Sequence, residues 1–376
     1  MDPLIERDAA EIGARAGREL DALVAVSSPS GDLAGAEEAV AVCVALLPPE
    51  AVIERVPCST TGSAPDLVAR IPGQGSRRLL LLGHLDTVIA HRSHAPLRRA
   101  GNRLYGPGAV DMKGGVVLAL GVARAVAARP QTFAEIGVLL VTDEEWRTEP
   151  FAHVERFAHY DACLCFEGGQ LAEDGASEGV VVRRKAAGTL RVRATGRASH
   201  SGSAPDQGRN ALLGLAQAAL TVSRRHDPSG RDRLSVVPTI MHSGDAFNVV
   251  PAAGELVFDM RATGAAAFES VFSAVPAEID GVALEARMER VWPGMDSGAA
   301  TAPLLERASA RVGRTIAGVA RGGASDASHF ATAIELTVDG LGPRGGGAHT
   351  PEEFVLEPSL RERAEVALAI AQAVLE

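Results

Sequence analysis

The sequence predicts an α/β protein with a largely parallel sheet, interrupted by a smaller α+β segment. Within the first 170 residues, apolar runs of strand length at 79–83, 136–141 and 162–166 alternate with helical patterns. Near residue 180 polar and apolar residues begin to alternate, as in strands with one solvated face. The first pattern resumes after Trp292-Pro293-Gly294 and closes with a helix.

Helical periodicity, good helix formers and proline stops define the predicted helices. These are 4–25, 34–47 (ended by Pro48-Pro49), 114–128 (ended by Arg129-Pro130), 150–159, 209–224, 265–278 and 357–375. Apolar or alternating runs define the predicted strands. These are 51–56, 66–72, 79–83, 136–141, 162–166, 180–185, 189–194, 234–242, 255–261 and 282–290.

A chain of 376 residues is long for one core, so we predict two domains. The larger one consists of residues 1–181 and 295–376 and carries the candidate ligands described below. Residues 182–294 form the insertion, because their order of strands and helices (β-β-α-β-β-α-β) is that of a small α+β unit.

Composition excludes several classes of protein. The net charge of −10 argues against nucleic acid and anionic membranes as partners. No run reaches about 18 apolar residues, the length that a membrane span needs, and the acidic start of the chain lacks a signal-peptide core. Four cysteines in a chain of this length do not make a disulfide framework, and we expect a cytoplasmic protein with reduced thiols.

Potential metal ligands stand where the predicted strands end, with two more in glycine-rich loops. They are His84 after 79–83, Glu144 and Glu145 after 136–141, Glu167 after 162–166, and the loop residues Asp111 and His349. Singly, each has an ordinary explanation; Asp111, for example, can cap the helix that follows it. Jointly they favour a site, because open α/β sheets bind ligands at the carboxyl ends of their strands.

Two imidazoles and several carboxylates suit zinc, which binds nitrogen and oxygen ligands. A pair of metals about 3.5–4 Å apart needs a bridging carboxylate and activates the water between them. In the Glu144-Glu145 pair, one residue can bind a metal while its neighbour acts as general base. Asp86, two residues after His84, can hold that imidazole in the required tautomer.

With these residues the chain resembles the M20 co-catalytic metallopeptidases, which include carboxypeptidase G2-like glutamate carboxypeptidases and the acetylornithine and succinyl-diaminopimelate deacylases. Four motifs in the family's order carry the resemblance: 83–88 (Gly-His-Leu-Asp-Thr-Val), 106–115, 142–145 (Thr-Asp-Glu-Glu) and 165–167. The resemblance covers essentially the whole chain. It implies a zinc exopeptidase-like fold with a ferredoxin-like insertion that serves as lid and dimerisation domain, and hence a homodimer.

The resemblance also implies a ligand set. His84, Asp111 and Glu167 would hold one metal, and Asp111, Glu145 and His349 the other, with Asp111 as the bridge. The expected metals are two Zn²⁺ ions, although Co²⁺ and Mn²⁺ suit similar sites. A cis peptide bond is implied after the bridging aspartate.

Two further residues of the larger domain receive roles from the resemblance. Asp86 would orient His84, and Glu144 would be the general base that takes a proton from the bridging water and passes it to the leaving amine.

The insertion supplies three more candidates. His200, in 196–202, would stabilise the oxyanion, often from the other subunit of a dimer, and Asn248 and Arg261 would bind polar groups of the substrate. A surface histidine at a strand end and an outward arginine are the ordinary alternatives for His200 and Arg261. The glycine-rich segment 322–326 resembles a family loop near the site.

The segment after the glutamate pair departs from the family. It is Trp146-Arg147-Thr148 where a Gly-Ser-type turn is usual, so we expect intact ligands but a different pocket wall. The expected function is hydrolysis of an amide bond in a short peptide or N-acyl amino acid that has a free carboxylate, as in a glutamate carboxypeptidase. The alternatives are an N-deacylase with the same machinery and a binding protein that has lost catalysis.

Overall fold

A computed structural model describes residues 1–376. Its helices are α1 (Pro3–Ala25), α2 (Leu33–Leu46), α3 (Gly114–Ala127), α4 (Val154–Phe157), α5 (Ala211–Ser223), α6 (Phe268–Phe272), α7 (Gly298–Val312), α8 (Ala327–Phe330) and α9 (Glu357–Leu375). Its strands are β1 (Val52–Val56), β2 (Asp66–Pro72), β3 (Arg78–His84), β4 (Arg98–Ala100), β5 (Arg103–Tyr105), β6 (Glu135–Val141), β7 (Ala162–Cys165), β8 (Gln170–Leu171), β9 (Glu178–Arg184), β10 (Ala186–Thr195), β11 (Ser199–His200), β12 (Ser235–Ser243), β13 (Val249–Val250), β14 (Ala253–Ala262), β15 (Glu278–Ile279), β16 (Val282–Trp292), β17 (Met295–Asp296), β18 (Ile316–Arg321), β19 (Leu336–Val338), β20 (Gly345–Gly346) and β21 (Phe354–Leu356).

The main sheet has six strands in the order β1-β2-β6-β3-β7-β19. Strands β6, β3, β7 and β19 are parallel to one another, while β1 and β2 form an antiparallel edge. The predicted mixed, mostly parallel sheet flanked by helices is therefore confirmed. Because β3 is central, both of its faces are buried, and this explains its unbroken apolar run.

Each face of the main sheet packs against a different layer. Leu79 and Leu81 belong to the large core formed with α1, α3 and α9. Leu80 and Leu82 point the other way, into a smaller core with Phe157 and the α8 residue Phe330. Because successive side chains of β3 point to opposite faces of the sheet, this one strand contributes to both cores.

A second sheet has five antiparallel strands in the order β12-β14-β10-β16-β15. Leu190 on β10 and Phe258 on β14 alternate with polar residues and meet α5 and α6 in a separate core of 18 residues. Two short segments join the second sheet to the rest of the chain. The first lies between Arg184 of β9 and Ala186 of β10, and the second lies between Trp292 of β16 and Met295 of β17.

Side-chain caps set several helix starts. Asp2 accepts a hydrogen bond from the Leu4 amide at the start of α1, and Asp32 accepts one from the Gly35 amide in α2. Such caps contribute about 1 kcal/mol each. None of the helices is both long and apolar enough to cross a bilayer.

The predicted helix at 150–159 is wrong in extent, because only α4 is helical there. The Ala152 amide donates to Ser59 Oγ, and His153 Nε2 bonds the buried Asp66 carboxylate at 2.8 Å. These long-range contacts hold 150–153 in a non-helical path. The predicted helix at 265–278 is likewise reduced to α6 and one 3₁₀ turn.

We predict that Gly115→Ala destabilises the protein by about 1–3 kcal/mol, the cost of overpacking. An added Cβ would lie 1.8 Å from the Phe166 carbonyl oxygen, so α3 must move away from the end of β7. Thermal unfolding measures the effect. In the control Gly17→Ala, the nearest atom to the new Cβ is 3.9 Å away, and stability should stay equal or rise. Equal melting temperatures for the two variants would contradict the packing argument.

Candidate metal centre

The candidate ligands meet at the carboxyl edge of the main sheet. His84 is the last residue of β3, Glu144 and Glu145 follow β6, and Glu167 follows β7. These three strands are parallel, so their ends lie side by side. Asp111 reaches the same edge from the turn before α3.

Five of these side chains form two groups that share one member. In the first group, His84 Nε2 lies 3.2 Å from Asp111 Oδ1 and 3.8 Å from Glu167 Oε1. In the second, His349 Nε2 lies 3.1 Å from Asp111 Oδ2 and 3.2 Å from Glu145 Oε1. The ligand atoms of each group lie within 4.8 Å of one another. Asp111 places one carboxylate oxygen in each group.

The two groups differ in exposure. His84 is buried, whereas the His349 side chain is 54% exposed and stands in the loop between β20 and β21. His349 also has a φ of 66°, in the left-handed region that few non-glycine residues adopt. The site is therefore closed on the side of β3 and open to solvent at His349.

Acidic groups outnumber positive ones at this edge. Burial raises the pKa of Glu167 to about 8 and that of Glu145 to about 7, and it raises the pKa of Glu144 well above its usual value. The hydrogen bond with Asp111 raises the pKa of His349 to about 9. Burial opposes a charge on His84, but hydrogen bonding to Asp111 and Asp86 raises its pKa well above the usual value. The raised pKa values of these three carboxyl groups indicate that this edge is short of positive charge.

The residues fit divalent cations. Glu145 Oε1 is buried and has no hydrogen bond, although His349 Nε2 is near it. Imidazole nitrogen and carboxylate oxygen are the ligands that zinc takes in catalytic sites, and a bound cation supplies the missing positive charge. The donor set and the unsatisfied oxygen therefore agree with metal binding.

Asp86 connects the histidine to the glutamate pair. His84 Nδ1 donates to the Asp86 carbonyl at 3.0 Å and lies 3.3 Å from Asp86 Oδ1, which leaves Nε2 free for a metal. The Asp86 carboxylate also accepts from the amides of Glu144 (3.1 Å) and Glu145 (3.0 Å) and from Ser30 Oγ (2.6 Å). The sequence predicted only the contact with His84.

Glu353 is a site residue that sequence reasoning missed. Its buried carboxylate accepts from the amides of Gly108 (2.8 Å), Val110 (2.8 Å) and Asp111 (2.9 Å). It thereby holds the turn that presents Asp111, in which the Asp111–Met112 peptide bond is cis, as the resemblance implies. The position of Glu353 four residues after His349 was the available signal, but nothing local shows its partners.

The unusual segment after the glutamate pair is held in place by the hydrogen bonds of Arg147. Arg147 is buried and donates to Asp143 Oδ1 through Nε (3.0 Å) and Nη2 (2.7 Å), and to Asp326 Oδ2 through Nη2 (3.0 Å). It links the β6 loop to the glycine-rich 322–326 segment. Its guanidinium also lies 5.4 Å from the centroid of the Trp292 ring, at the end of β16.

A third cluster of possible ligands, Cys58, Asp66 and Asp143, has other partners. Asp143 pairs with Arg147, and Asp66 accepts from His153 and from the Thr142 amide. Burial raises the pKa of the Cys58 thiol to about 12, so the thiolate that a metal needs is disfavoured.

The three candidates from the insertion lie in neither ligand group. His200 is exposed on β11, and its Nδ1 accepts from the amides of Gly202 and Ser203, each at 3.1 Å. Asn248 is exposed, and its carbonyl accepts from the Ser201 amide. Arg261 is held by Asp259, with Nε–Oδ2 at 3.1 Å and Nη2–Oδ1 at 3.0 Å.

A metal-dependent hydrolase is the class of protein that this fold and this site define. The chain belongs to peptidase family M20/M25/M40, whose family model matches residues 80–373. This confirms the predicted resemblance, and membership implies the use of a divalent metal.

Individual relatives agree with the family. Carboxypeptidase G2 of Pseudomonas sp. (strain RS-16) is 28% identical over 305 residues, which cover 77% of this chain and 72% of that protein. Succinyl-diaminopimelate desuccinylase of Xylella fastidiosa (strain M12) is 31% identical over 208 residues, or 50% of this chain and 54% of that protein. The chain thus spans about half the length of the desuccinylase.

Solved structures share the fold. A tripeptidase from Staphylococcus aureus subsp. aureus Mu50 superposes with a TM-score of 0.77 at 19% identity, covering 96% of this chain and 98% of that one. Human carnosine dipeptidase 1 gives a TM-score of 0.73 at 16% identity over 100% of both chains. At these identities the likeness is one of fold.

We predict that Asp86→Asn weakens zinc binding by about 10–100-fold, the usual cost of losing a partner of a metal-binding histidine. The carboxamide also turns its N–H₂ group toward the amide of either Glu144 or Glu145, where the carboxylate accepts with both oxygens. Competition with a chromogenic chelator measures the affinity. Asp21→Asn, at an exposed position on α1, is the control and should bind zinc normally. Unchanged affinity in a folded Asp86→Asn protein would contradict the role given to Asp86.

Proposed function

We propose that the protein is a two-zinc hydrolase that cleaves an amide bond in a short peptide or N-acyl amino acid with a free carboxylate. The observation that carries this proposal is the position of Asp111, with one oxygen in each ligand group. Glu144 lies near His84, Glu167 and Glu145, whose charges affect its pKa, and belongs to neither group. A bridging carboxylate next to an uncommitted carboxylate suits hydrolysis by an activated water.

In this proposal His84, Asp111 and Glu167 hold one zinc, and Asp111, Glu145 and His349 hold the second. Bound there, zinc lowers the pKa of a water and polarises the carbonyl of the scissile bond. Cobalt and manganese suit the same ligands.

Glu144 acts as the general base. It is buried, and the hydrogen bond from its amide to Asp86 Oδ1 fixes its backbone next to the ligands. Burial raises the pKa of its carboxyl group, which makes the carboxylate a stronger proton acceptor. Its carboxylate takes a proton from the attacking water and delivers it to the nitrogen of the leaving amine.

His200 is proposed to stabilise the oxyanion. Its Nδ1 accepts two amide hydrogens, so in the neutral ring Nε2 carries the proton and is a donor. Its exposure requires that the second sheet close over the ligands or that a second subunit supply the residue. Asn248 is proposed to bind the substrate from the same surface.

We propose that residues 182–294 form a lid and dimerisation domain. The edge strand β12 exposes Val237, Ile240 and Met241, and an uncovered apolar edge favours pairing with a second copy. Light scattering should then give twice the chain mass of 38.9 kDa. The cytoplasmic location stays a prediction.

The substrate class can be tested with a panel of N-acetyl, N-succinyl and glutamate-terminated compounds, assayed with added zinc, cobalt or manganese. We predict the highest kcat/KM for a glutamate-terminated compound, because the match to carboxypeptidase G2 covers 77% of this chain and the match to the desuccinylase 50%. Preferential turnover of N-succinyl compounds would instead favour the N-deacylase, which the similarity to desuccinylases supports. A protein that binds no metal and turns over nothing would be a binding protein.

We predict that Glu144→Gln lowers kcat by about 10²–10⁴-fold while the metal content is unchanged, because the variant loses the base but no ligand. Steady-state kinetics and metal analysis of the purified protein measure the two quantities. Glu155→Gln, an exposed change on α4, serves as the control and should retain activity. Near-normal turnover by Glu144→Gln would remove Glu144 from the mechanism.

A further inference from the structure

A cleft of about 610 Å³ lies between β16 of the second sheet and the segment that follows the glutamate pair. One wall is residues 287–292 of β16, the other is residues 148–150, and His329 of α8 lies at its base. We call it the β16 cleft. Thr148, the last residue of the segment that departs from the family, therefore belongs to one wall of the cleft, and Glu144 is close enough to the opposite wall to affect the pKa of Arg290.

Two arginines point from the second sheet toward this side. In the register of the sheet, Arg261 on β14 pairs with Ala187 of β10, and Arg290 on β16 pairs with Thr189. Ala187 and Thr189 are two residues apart and share a face of β10. Arg261 and Arg290 therefore flank β10 on the face opposite α5 and α6.

The two arginines differ in their partners. Arg261 is engaged by Asp259 through two hydrogen bonds. Arg290 forms no hydrogen bond or ion pair, and its Nε is buried without a partner. The acidic residues of the cleft are committed elsewhere, because Glu149 bonds Thr61 and Glu289 pairs with Arg191. No carboxylate of the chain forms a hydrogen bond or ion pair with Arg290, although Glu144 and Asp326 lie near enough to raise its pKa.

The surroundings of Arg290 favour an anion from outside the chain. Its guanidinium lies 4.6 Å from the centroid of the Trp292 ring, which supports the planar group from one side. Burial lowers the pKa of Arg290, the nearby Glu144 carboxylate raises it, and the charges of Arg261 and Arg147 lower it. Arg290 is half-buried and its Nε lacks a partner, and a bidentate carboxylate satisfies the guanidinium fork.

His329, which also lines the β16 cleft, has a second polar atom without a hydrogen bond. His329 Nε2 is buried without a hydrogen bond, and its ring packs against Trp292 with centroids 4.9 Å apart. Burial lowers the pKa of His329 to about 4, so the ring is neutral at pH 7 and can donate a hydrogen bond without adding charge.

We propose that the β16 cleft binds the carboxylate of the substrate, with Arg290 as its bidentate partner and Trp292 and His329 as its walls. This inference rests on the proposed function, and it moves the carboxylate anchor from Arg261 to Arg290. The carboxylate can belong to the amino-acid part of the substrate or to its acyl group. Both offer the same chemistry to the guanidinium.

The test compares Arg290→Met, Arg261→Met and the control Arg225→Met, an exposed change that removes the same charge from the second-sheet region. Each is made in the wild-type and Glu144→Gln proteins. The ligands are an N-acetyl amino acid, its carboxamide, and an N-succinyl amino-acid amide, so that the free carboxylate lies on the amino-acid side, on neither side, or on the acyl side. Titration calorimetry with zinc-loaded Glu144→Gln measures binding, and kcat/KM measures turnover in the active background.

We expect Arg290→Met to weaken binding of the matching carboxylate ligand by about 30–100-fold, as for a lost charge-assisted pair, and to leave carboxamide binding unchanged. The ligand that loses affinity identifies the carboxylate. The melting temperature should change little, because Arg290 has no hydrogen bond or ion pair to lose and only its contact with the Trp292 ring is removed. Arg225→Met should change neither affinity nor turnover.

Several results would contradict the role of Arg290 in carboxylate binding. Retained carboxylate preference in Arg290→Met, equal loss for acid and carboxamide, or loss in Arg261→Met alone would each overturn the role of Arg290. Lack of carboxylate binding by the parent protein would do the same. Binding that depends on Arg290, together with no turnover by the wild-type protein, would contradict the proposed function and leave the binding site intact.

Discussion

Crowding of carboxylates at the carboxyl edge of the main sheet is the constraint that organises this protein. Parallel strands deliver their terminal residues to one edge, and here those residues are mostly acidic. Buried like charges are unstable unless each is paired, hydrogen-bonded or protonated. The pairings are Asp143 and Asp326 with Arg147, Asp66 with His153, Asp339 with Arg184, and Glu353 with three backbone amides. The carboxylates left over are Glu144, Glu145 and Glu167, with Asp111 and two imidazoles beside them. Apart from Glu144, that remainder is the candidate donor set of a metal centre.

The same pairings give the site its rigidity. Asp86 accepts from His84 through its carbonyl oxygen and from the amides of Glu144 and Glu145 through its carboxylate, which ties the end of β3 to the loop after β6. Arg147 extends this link to the 322–326 segment and to Trp292, where the chain returns from the second sheet. An arginine suits this position because its planar fork serves two carboxylates and an aromatic face at once. The departure from the family after Glu145 is therefore a brace between the two sheets.

The parts of the site that follow from strand order were predictable from sequence. An apolar run followed by His84, or by Glu144 and Glu145, locates a ligand because the end of a buried strand has a fixed direction in the sheet. Strand order does not predict contacts between segments that are far apart in the chain. The carboxylate of Glu353 binds amides more than 240 residues away, and no local pattern specifies such a partner.

Arg261 and α4 illustrate two further limits. Asp259 stands two residues before Arg261 on β14, so their side chains share a face, and the alternation in the sequence contained this information. The predicted substrate-binding role of Arg261 did not take this aspartate into account. Helix α4 is short because Ala152 and His153 bond to Ser59 and Asp66, and tertiary hydrogen bonds outweigh a modest helix propensity over a few residues.

The two sheets divide the charges between them. The main sheet presents carboxylates, and the facing side of the second sheet presents Arg290, which has no carboxylate partner, beside the Arg261–Asp259 pair. A substrate with a free carboxylate placed between them has only one favourable orientation before any metal contact is counted, because the acidic edge repels that group and the arginine face attracts it. The scissile amide is then directed toward Glu144 and the ligands. In the proposed function, the insertion thus contributes orientation through a cation, and the main sheet contributes the proton acceptor and the metal ligands.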